Sequence, residues 1–169
     1  MKKLSKIFYS VVVLSLFFSP KVKAQEVKNG LTWYTDVNQV YDISKKTKKP
    51  IFAFFTGSDW CGWCHRLENN VFDKAGFQEW AKKNVILLEL DFPRSKKLPE
   101  KLEQQNNGLQ QFFNVQGYPT VWIFNMDKDT KTNKINISPF GSLGYPQSQP
   151  GHEEEMFLDN ANKILKNKS

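Results

Sequence analysis

Cysteine and histidine are scarce, with two of each in 169 residues. Cys61, Cys64 and His65 crowd into one turn and supply at most three ligands, and His152 is the only other histidine. That pattern argues against a structural zinc centre, and neither a metal nor any other cofactor is expected. No Ser-His-Asp set, phosphate-cradling loop or paired-carboxylate spacing is present, which sets aside the common hydrolase and phosphoryl-transfer designs. The apolar run from Ile7 to Phe18 is about a dozen residues, short of the roughly 20 that span a bilayer. Neither an internal repeat nor a second domain can be traced. The surplus of positive charge is also smaller than it looks. The formal charge is +7, but five lysines and no acid fall within residues 1–24, so the remainder carries only +2. Its lysines are scattered and mostly accompanied by acids or amides, and no nucleic-acid partner is expected.

Residues 1–24 read as a signal peptide. Lys2, Lys3 and Lys6 form a positive start, the apolar run follows, and Val22-Lys23-Ala24 offers small residues before a cut. No cysteine lies near Ala24 to carry a lipid anchor. Residues 25–169 are then about 145 residues, the size of one domain with a single core. Five tryptophans and eleven of the fourteen phenylalanines fall within it and are enough to fill it. Export places the two cysteines in an oxidising compartment, and the periplasm of a Gram-negative bacterium is the expected location.

Those cysteines sit in Gly57-Ser58-Asp59-Trp60-Cys61-Gly62-Trp63-Cys64-His65-Arg66, straight after the apolar run Ile51-Phe52-Ala53-Phe54-Phe55. An unbroken apolar run of this length reads as a strand buried on both faces. A strand, a short turn and a helix opening at a cysteine form the setting in which Cys-x-x-Cys becomes a redox couple. The unpaired N–H groups and positive dipole end of the helix favour the Cys61 thiolate. A bridge closing so short a loop adds little stability, so a reactive role suits it better than a structural one.

The rest of the chain supplies a frame. Asp36 or Thr35 caps a helix carrying Val37, Val40, Tyr41 and Ile43, which ends in lysines before Pro50. The cysteine helix is expected from Gly62 to Asn70, with a kink or break near Asp73 to Gly76. Val85 to Leu90 reads as a second central strand, and Glu100 to Asn114 as a helix that Gly108 weakens by up to about 1 kcal/mol. Gly117-Tyr118-Pro119-Thr120 precedes the apolar strand Val121 to Phe124. A proline there belongs at the strand's first residue or in a tight turn, and a cis Tyr118–Pro119 bond would meet that demand. A polar connection from Asn125 to Asn133, an edge-type strand at Lys134 to Ile137, a loose segment around Gly141 and Gly144, and a final helix at Glu153 to Lys166 complete the order.

This order, with Trp60-Cys61-Gly62-Trp63-Cys64 and Gly117-Tyr118-Pro119-Thr120, resembles the thioredoxin-like family over about residues 30–167. The resemblance implies an α/β fold, a central mixed sheet flanked by helices, here with an N-terminal extension and an insertion before the cis-Pro loop. It implies a thiol–disulfide oxidoreductase in which Cys61 attacks and Cys64 resolves. Trp60, Trp63, Tyr118 and Pro119 would then shape a groove for the peptide substrate. The extra residue in Thr-Gly-Ser-Asp-Trp and the insertion Asp91–Asn107 look more like the exported bacterial branch than compact cytosolic thioredoxin. Expected partners are protein or peptide disulfides and a redox protein that recharges the dithiol, and the chain is expected to be monomeric.

Two departures from the family pattern stand out. Ala53 or Phe54 occupies the place where an acid is expected in the strand before the motif, so proton transfer for Cys64 must come from Glu89, Asp59, His65 or water. Glu89 is the more interesting of these, because an acid in an apolar strand has a raised pKa if buried. Trp63 replaces the proline common between the cysteines. Other readings compete. Cys61, Cys64 and His65 match a c-type haem attachment motif, but the strand before it and the Gly-Tyr-Pro-Thr strand after it have no role there. The bridge could instead be inert in a thioredoxin-like interaction module. Within the redox class, a disulfide isomerase or oxidase uses the same two sulfurs as a reductase. The resemblance favours the reductase.

Overall fold

The computed structural model describes residues 25–132 and 134–166. The segment read as a signal peptide, together with Asn133 and residues 167–169, lies outside the described residues. Six strands form one sheet: β1 Gln25–Lys28, β2 Leu31–Tyr34, β3 Ile51–Thr56, β4 Ile86–Asp91, β5 Thr120–Lys128 and β6 Ile135–Leu143. The helices are α1 Val37–Thr47, α2 Gly62–Leu67, α3 Ala75–Asn84, α4 Glu100–Phe112 and α5 Glu153–Lys166. The strand order is β1-β2-β4-β3-β5-β6. β2 and β3 run parallel to β4, while β1–β2, β3–β5 and β5–β6 are antiparallel, so the sheet is mixed as expected.

Alternation along β3 divides the core. All six of its residues are buried, because helices cover both faces of the sheet. Phe52 and Phe54 point to the side of α2, α3 and α5, where they meet Leu67, Val71, Phe77, Ala81 and Phe157. Ile51, Ala53 and Phe55 point to the other side, against Val40 of α1 and Leu109 of α4. Phe52 and Phe54 pack edge-on or tilted against Phe72, Phe77 and Phe157 with ring centroids 5.0–6.2 Å apart, and Phe72 stacks on Phe77 at 4.6 Å. Aromatic pairs of this kind add about 0.5–1.5 kcal/mol beyond area burial.

The N-terminal hairpin β1–β2 is absent from the sequence reading, which begins the domain with α1. Gln25–Lys28 is exposed and short, so it carries no buried alternation to reveal it. Its turn uses Asn29 and Gly30, both at positive φ, and Asn-Gly at a two-residue hairpin loop is a recognised signal. Asp36 caps α1 by accepting from the Asn38 N–H at 2.8 Å. The break after α2 is a π-helical turn at Glu68–Phe72, closed by Asp73 N–H donating to Glu68 O at 2.9 Å. The wider turn lets consecutive Val71 and Phe72 both face the core. β5 and β6 each extend further than read from sequence, and β6 continues through Pro139 and Gly141 with an irregularity opposite Ile123 and Phe124. An edge strand tolerates that proline, which has no N–H to donate to a ladder.

Candidate active site at Cys61 and Cys64

β3 ends at Thr56, and the next four residues turn the chain into α2. Trp60 N–H and Cys61 N–H both donate to Gly57 O, at 3.1 and 2.8 Å. Cys61 is the N-cap of α2, and its sulfur accepts from the Cys64 N–H at 3.2 Å. The two cysteines form a disulfide with their Cα atoms 5.3 Å apart. Cys64 is fully buried, whereas Cys61 keeps 5% of its surface. The two cysteines are therefore not equivalent: only the first keeps any exposed surface.

An aromatic wall rises on each side of the pair. Trp60 is edge-on to Tyr118 at 5.7 Å, and Tyr118 stacks on Phe92 at 5.3 Å. Trp60 Nε1 donates to Phe92 O at 2.8 Å, fastening the loop after β4 to the motif. On the other side Trp63 is edge-on to Tyr145 at 5.1 Å, whose hydroxyl accepts from Asn70 Nδ2. The Tyr118–Pro119 bond is cis. Pro119 lies half-buried between Tyr118 and Thr120, the first residue of β5. Burial pushes the Tyr118 hydroxyl pKa up, and that hydroxyl accepts from Gln110 Nε2 at 2.6 Å.

Two aspartates anchor the turn and the loop to one another. Asp91 accepts from Ser58 N–H at 2.8 Å and Ser58 Oγ at 2.7 Å, and it pairs with Lys96 at 3.3 Å. Asp59 accepts from the Ser95 hydroxyl and from the backbone N–H groups of Arg94 and Ser95. The Ser95 hydroxyl first, then those N–H groups, stabilise the carboxylate and lower its pKa to about 2.

The remaining relay candidates take separate positions. Glu89 is in register with Phe54 in parallel strands and so shares its face, the face toward α2. Its carboxylate is mostly buried and paired with Lys28 Nζ at 2.7 Å. Burial opposes the charge on Lys28, but Glu89, together with Glu26 and Glu68, more than offsets it and the Lys28 pKa is raised. Glu68, one turn beyond Cys64, has its pKa raised mainly by burial. The exposed ring of His65 meets Ser58 O through Nε2 at 3.0 Å. At the position where the family pattern places an acid on this face stands Phe54, fully buried and edge-on to Phe72.

Trp60, Tyr118 and the two cysteines thus come together from segments more than 50 residues apart, and Trp63 flanks them. The sequence reading did not single out Phe92, Tyr145, Arg66 or Arg94 for the site. One signal could have found the last two. They are the only arginines among 24 basic residues, and each lies within three residues of an aromatic or cysteine of the site or in the insertion that folds over it.

A disulfide at the opening of a helix, set at the end of a central strand beside an X-Pro loop, defines a thiol–disulfide site. The chain belongs to the thioredoxin-like family, whose model matches residues 32–126. It is 32% identical over 107 residues to a Chlamydia pneumoniae protein described as disulfide bond reductase DsbH, covering 63% of this chain and 64% of that one. It is 23% identical over 121 residues to the thioredoxin-related protein DsbJ of the same organism, covering 70% of this chain and 34% of the relative. The match therefore spans less than two thirds of the first relative's length and about a third of the second's. A solved structure titled DsbH oxidoreductase superimposes with a TM-score of 0.64 at 28% identity, covering 80% of this chain and 85% of that one.

Proposed function

We propose that the protein is an exported thiol–disulfide oxidoreductase that reduces disulfides in other exported proteins. The observation that carries this reading is the asymmetry of the pair, with Cys61 keeping a little exposed surface at the head of α2 and Cys64 fully buried. In the reduced form, the Cys61 thiolate attacks one sulfur of a substrate disulfide, giving a mixed disulfide and expelling the other substrate sulfur as thiolate. The Cys64 thiol then loses its proton and attacks Cys61 Sγ. The second substrate sulfur leaves, and the Cys61–Cys64 disulfide closes. Two electrons pass to the substrate, which takes up two protons. The oxidised form described here must then be recharged by a second dithiol protein.

The Cys64 N–H directed at Cys61 Sγ supports the first step, because it stabilises negative charge on that sulfur. Trp60, Trp63, Tyr118 and Pro119 form the walls against which an extended substrate would lie. Glu89, His65 and Asp59 are the proposed proton relays for Cys64, and a pKa of about 2 makes Asp59 a weak base. The similarity to a relative described as a disulfide bond reductase supports the direction of electron flow. The character of residues 1–24 supports export to the periplasm. Replacing Cys64 with Ser should accumulate covalent mixed disulfides between Cys61 and substrate proteins on non-reducing gels. Replacing Cys61 with Ser should abolish both exchange and trapping. Trapping that persists through Cys64 in the Cys61→Ser variant would reverse the assigned roles.

A further inference from the structure

The chain uses arginine only twice, and both guanidinium groups stack on the tryptophans that flank Cys61. Arg94 Cζ lies 3.8 Å from the centroid of the Trp60 ring, and Arg66 Cζ lies 4.6 Å from that of Trp63. Every other basic residue among 24 is lysine, so the sequence is not short of positive charge for general purposes. Both arginines are exposed. Among the described residues, neither is within salt-bridge distance of a carboxylate, although Lys28, Lys45, Lys96 and Lys101 all are. Glu103 lines the same cavity as Arg94, and Asp59 has its oxygens taken by the Arg94 and Ser95 N–H groups and the Ser95 hydroxyl. Asp91 is likewise occupied by Ser58 and Lys96.

Stacking has a chemical consequence. A guanidinium lying over an indole face is held flat and satisfied on its faces, while its N–H donors point outward in the ring plane. A carboxylate can take two of those donors side by side, which a lysine ammonium does not match. Arg94 is further fixed by its backbone, since Asp59 accepts its N–H and Trp60 holds Phe92 two residues earlier. Arg66 stands in the last turn of α2, three residues after the tryptophan it covers. One cation therefore lies over each of the two tryptophans that bracket Cys61 in sequence.

We propose that Arg66 and Arg94 form a two-sided cationic rim that selects protein segments carrying acidic side chains on either side of the target disulfide. The proposal rests on the exchange reading above. A bound acidic segment would lay its disulfide over Cys61 and pair a flanking carboxylate with one or both arginines. The tryptophans would supply apolar contact beneath.

Three disulfide-bonded peptides of identical length test it, with Glu, Gln or Lys flanking the cystine. The rate constant kcat/KM for their reduction is compared within each protein variant, so that any change in the redox potential of Cys61–Cys64 cancels in the ratio. Each exposed charge contact is worth a factor of about 2 to 5. The wild type should favour the Glu peptide over the Lys peptide about tenfold, and about 0.5 M NaCl should remove most of that preference. The Arg66→Gln/Arg94→Gln double variant, whose folding is checked by its melting curve, should show less than a twofold preference. Equal rates for the three peptides in the wild type, or a preference retained by the double variant, would overturn the rim alone. Failure to exchange with any of the peptides would overturn the exchange reading and the rim with it.

Discussion

Gly57 has a larger role than a turn residue normally has. A Cβ built at this position would lie 2.5 Å from Trp60 Nε1 and 2.8 Å from its Cζ2, well inside van der Waals contact. Gly57→Ala therefore cannot keep the indole where it is. The ring is partly exposed, so it can swing out, and that limits the cost to what its seat provides. The seat consists of the Nε1 hydrogen bond to Phe92 O, the edge contact with Tyr118 and the Arg94 guanidinium. A net hydrogen bond is worth about 1 kcal/mol, and an aromatic pair about 0.5–1.5 kcal/mol. Together they amount to about 2 kcal/mol, or a fall in Tm of about 5–8 °C for a domain of this size. The variant should be melted beside Trp60→Ala and the double variant. Because the penalty acts through the indole, Gly57→Ala should cost almost nothing in the Trp60→Ala background. A penalty of the same size in both backgrounds, or none in the wild type, would refute this reasoning.

Other perturbations test separate parts of the site. Asp59 has a folded pKa below the ordinary carboxylate value, so its contribution is present above about pH 4 and is lost as pH falls toward 2. The difference in Tm between wild type and Asp59→Asn should therefore be constant near neutrality and shrink below pH 4. Amide protection at Arg94 and Ser95, corrected for the intrinsic exchange rate, should fall over the same interval. Asp91→Ala strands the Ser58 N–H and should cost about 1–3 kcal/mol in chemical denaturation, with Asp91→Asn recovering part of it. Lys28→Met leaves the Glu89 carboxylate unpaired at 12% side-chain exposure. It should destabilise by about 1–3 kcal/mol, less than for a fully buried pair because Lys28 is itself one-third exposed, and Glu89→Gln should relieve much of the loss.

The fold's centre was legible because its signals are local. An unbroken apolar β3, a Cys-x-x-Cys pair at a helix start and a Gly-Tyr-Pro-Thr entry to β5 each announce themselves within ten residues. The extent of α5 was equally readable, and the cap of α1 was narrowed to Asp36 or Thr35. What escaped has a common cause: it depends on segments distant in sequence. The β1–β2 hairpin gains its place through β2 pairing with β4, and its own residues are mostly exposed. The aromatic walls need Phe92 and Tyr145 brought to Trp60 and Trp63 by the sheet. The environment of Glu89 depends on Lys28, 61 residues earlier. Arg94 meets Trp60 only through the fold, whereas Arg66 covers Trp63 at the i,i+3 spacing of a helix, a local signal that went unused.

The reduction potential of the Cys61–Cys64 couple, measured by equilibration in glutathione buffers, tests the proposed chemistry most directly. A reductase must hold its electrons loosely, and a value near that of thioredoxin, about −270 mV, is predicted. A value near about −120 mV would make the protein an oxidant of its partners and contradict the proposed direction of electron flow.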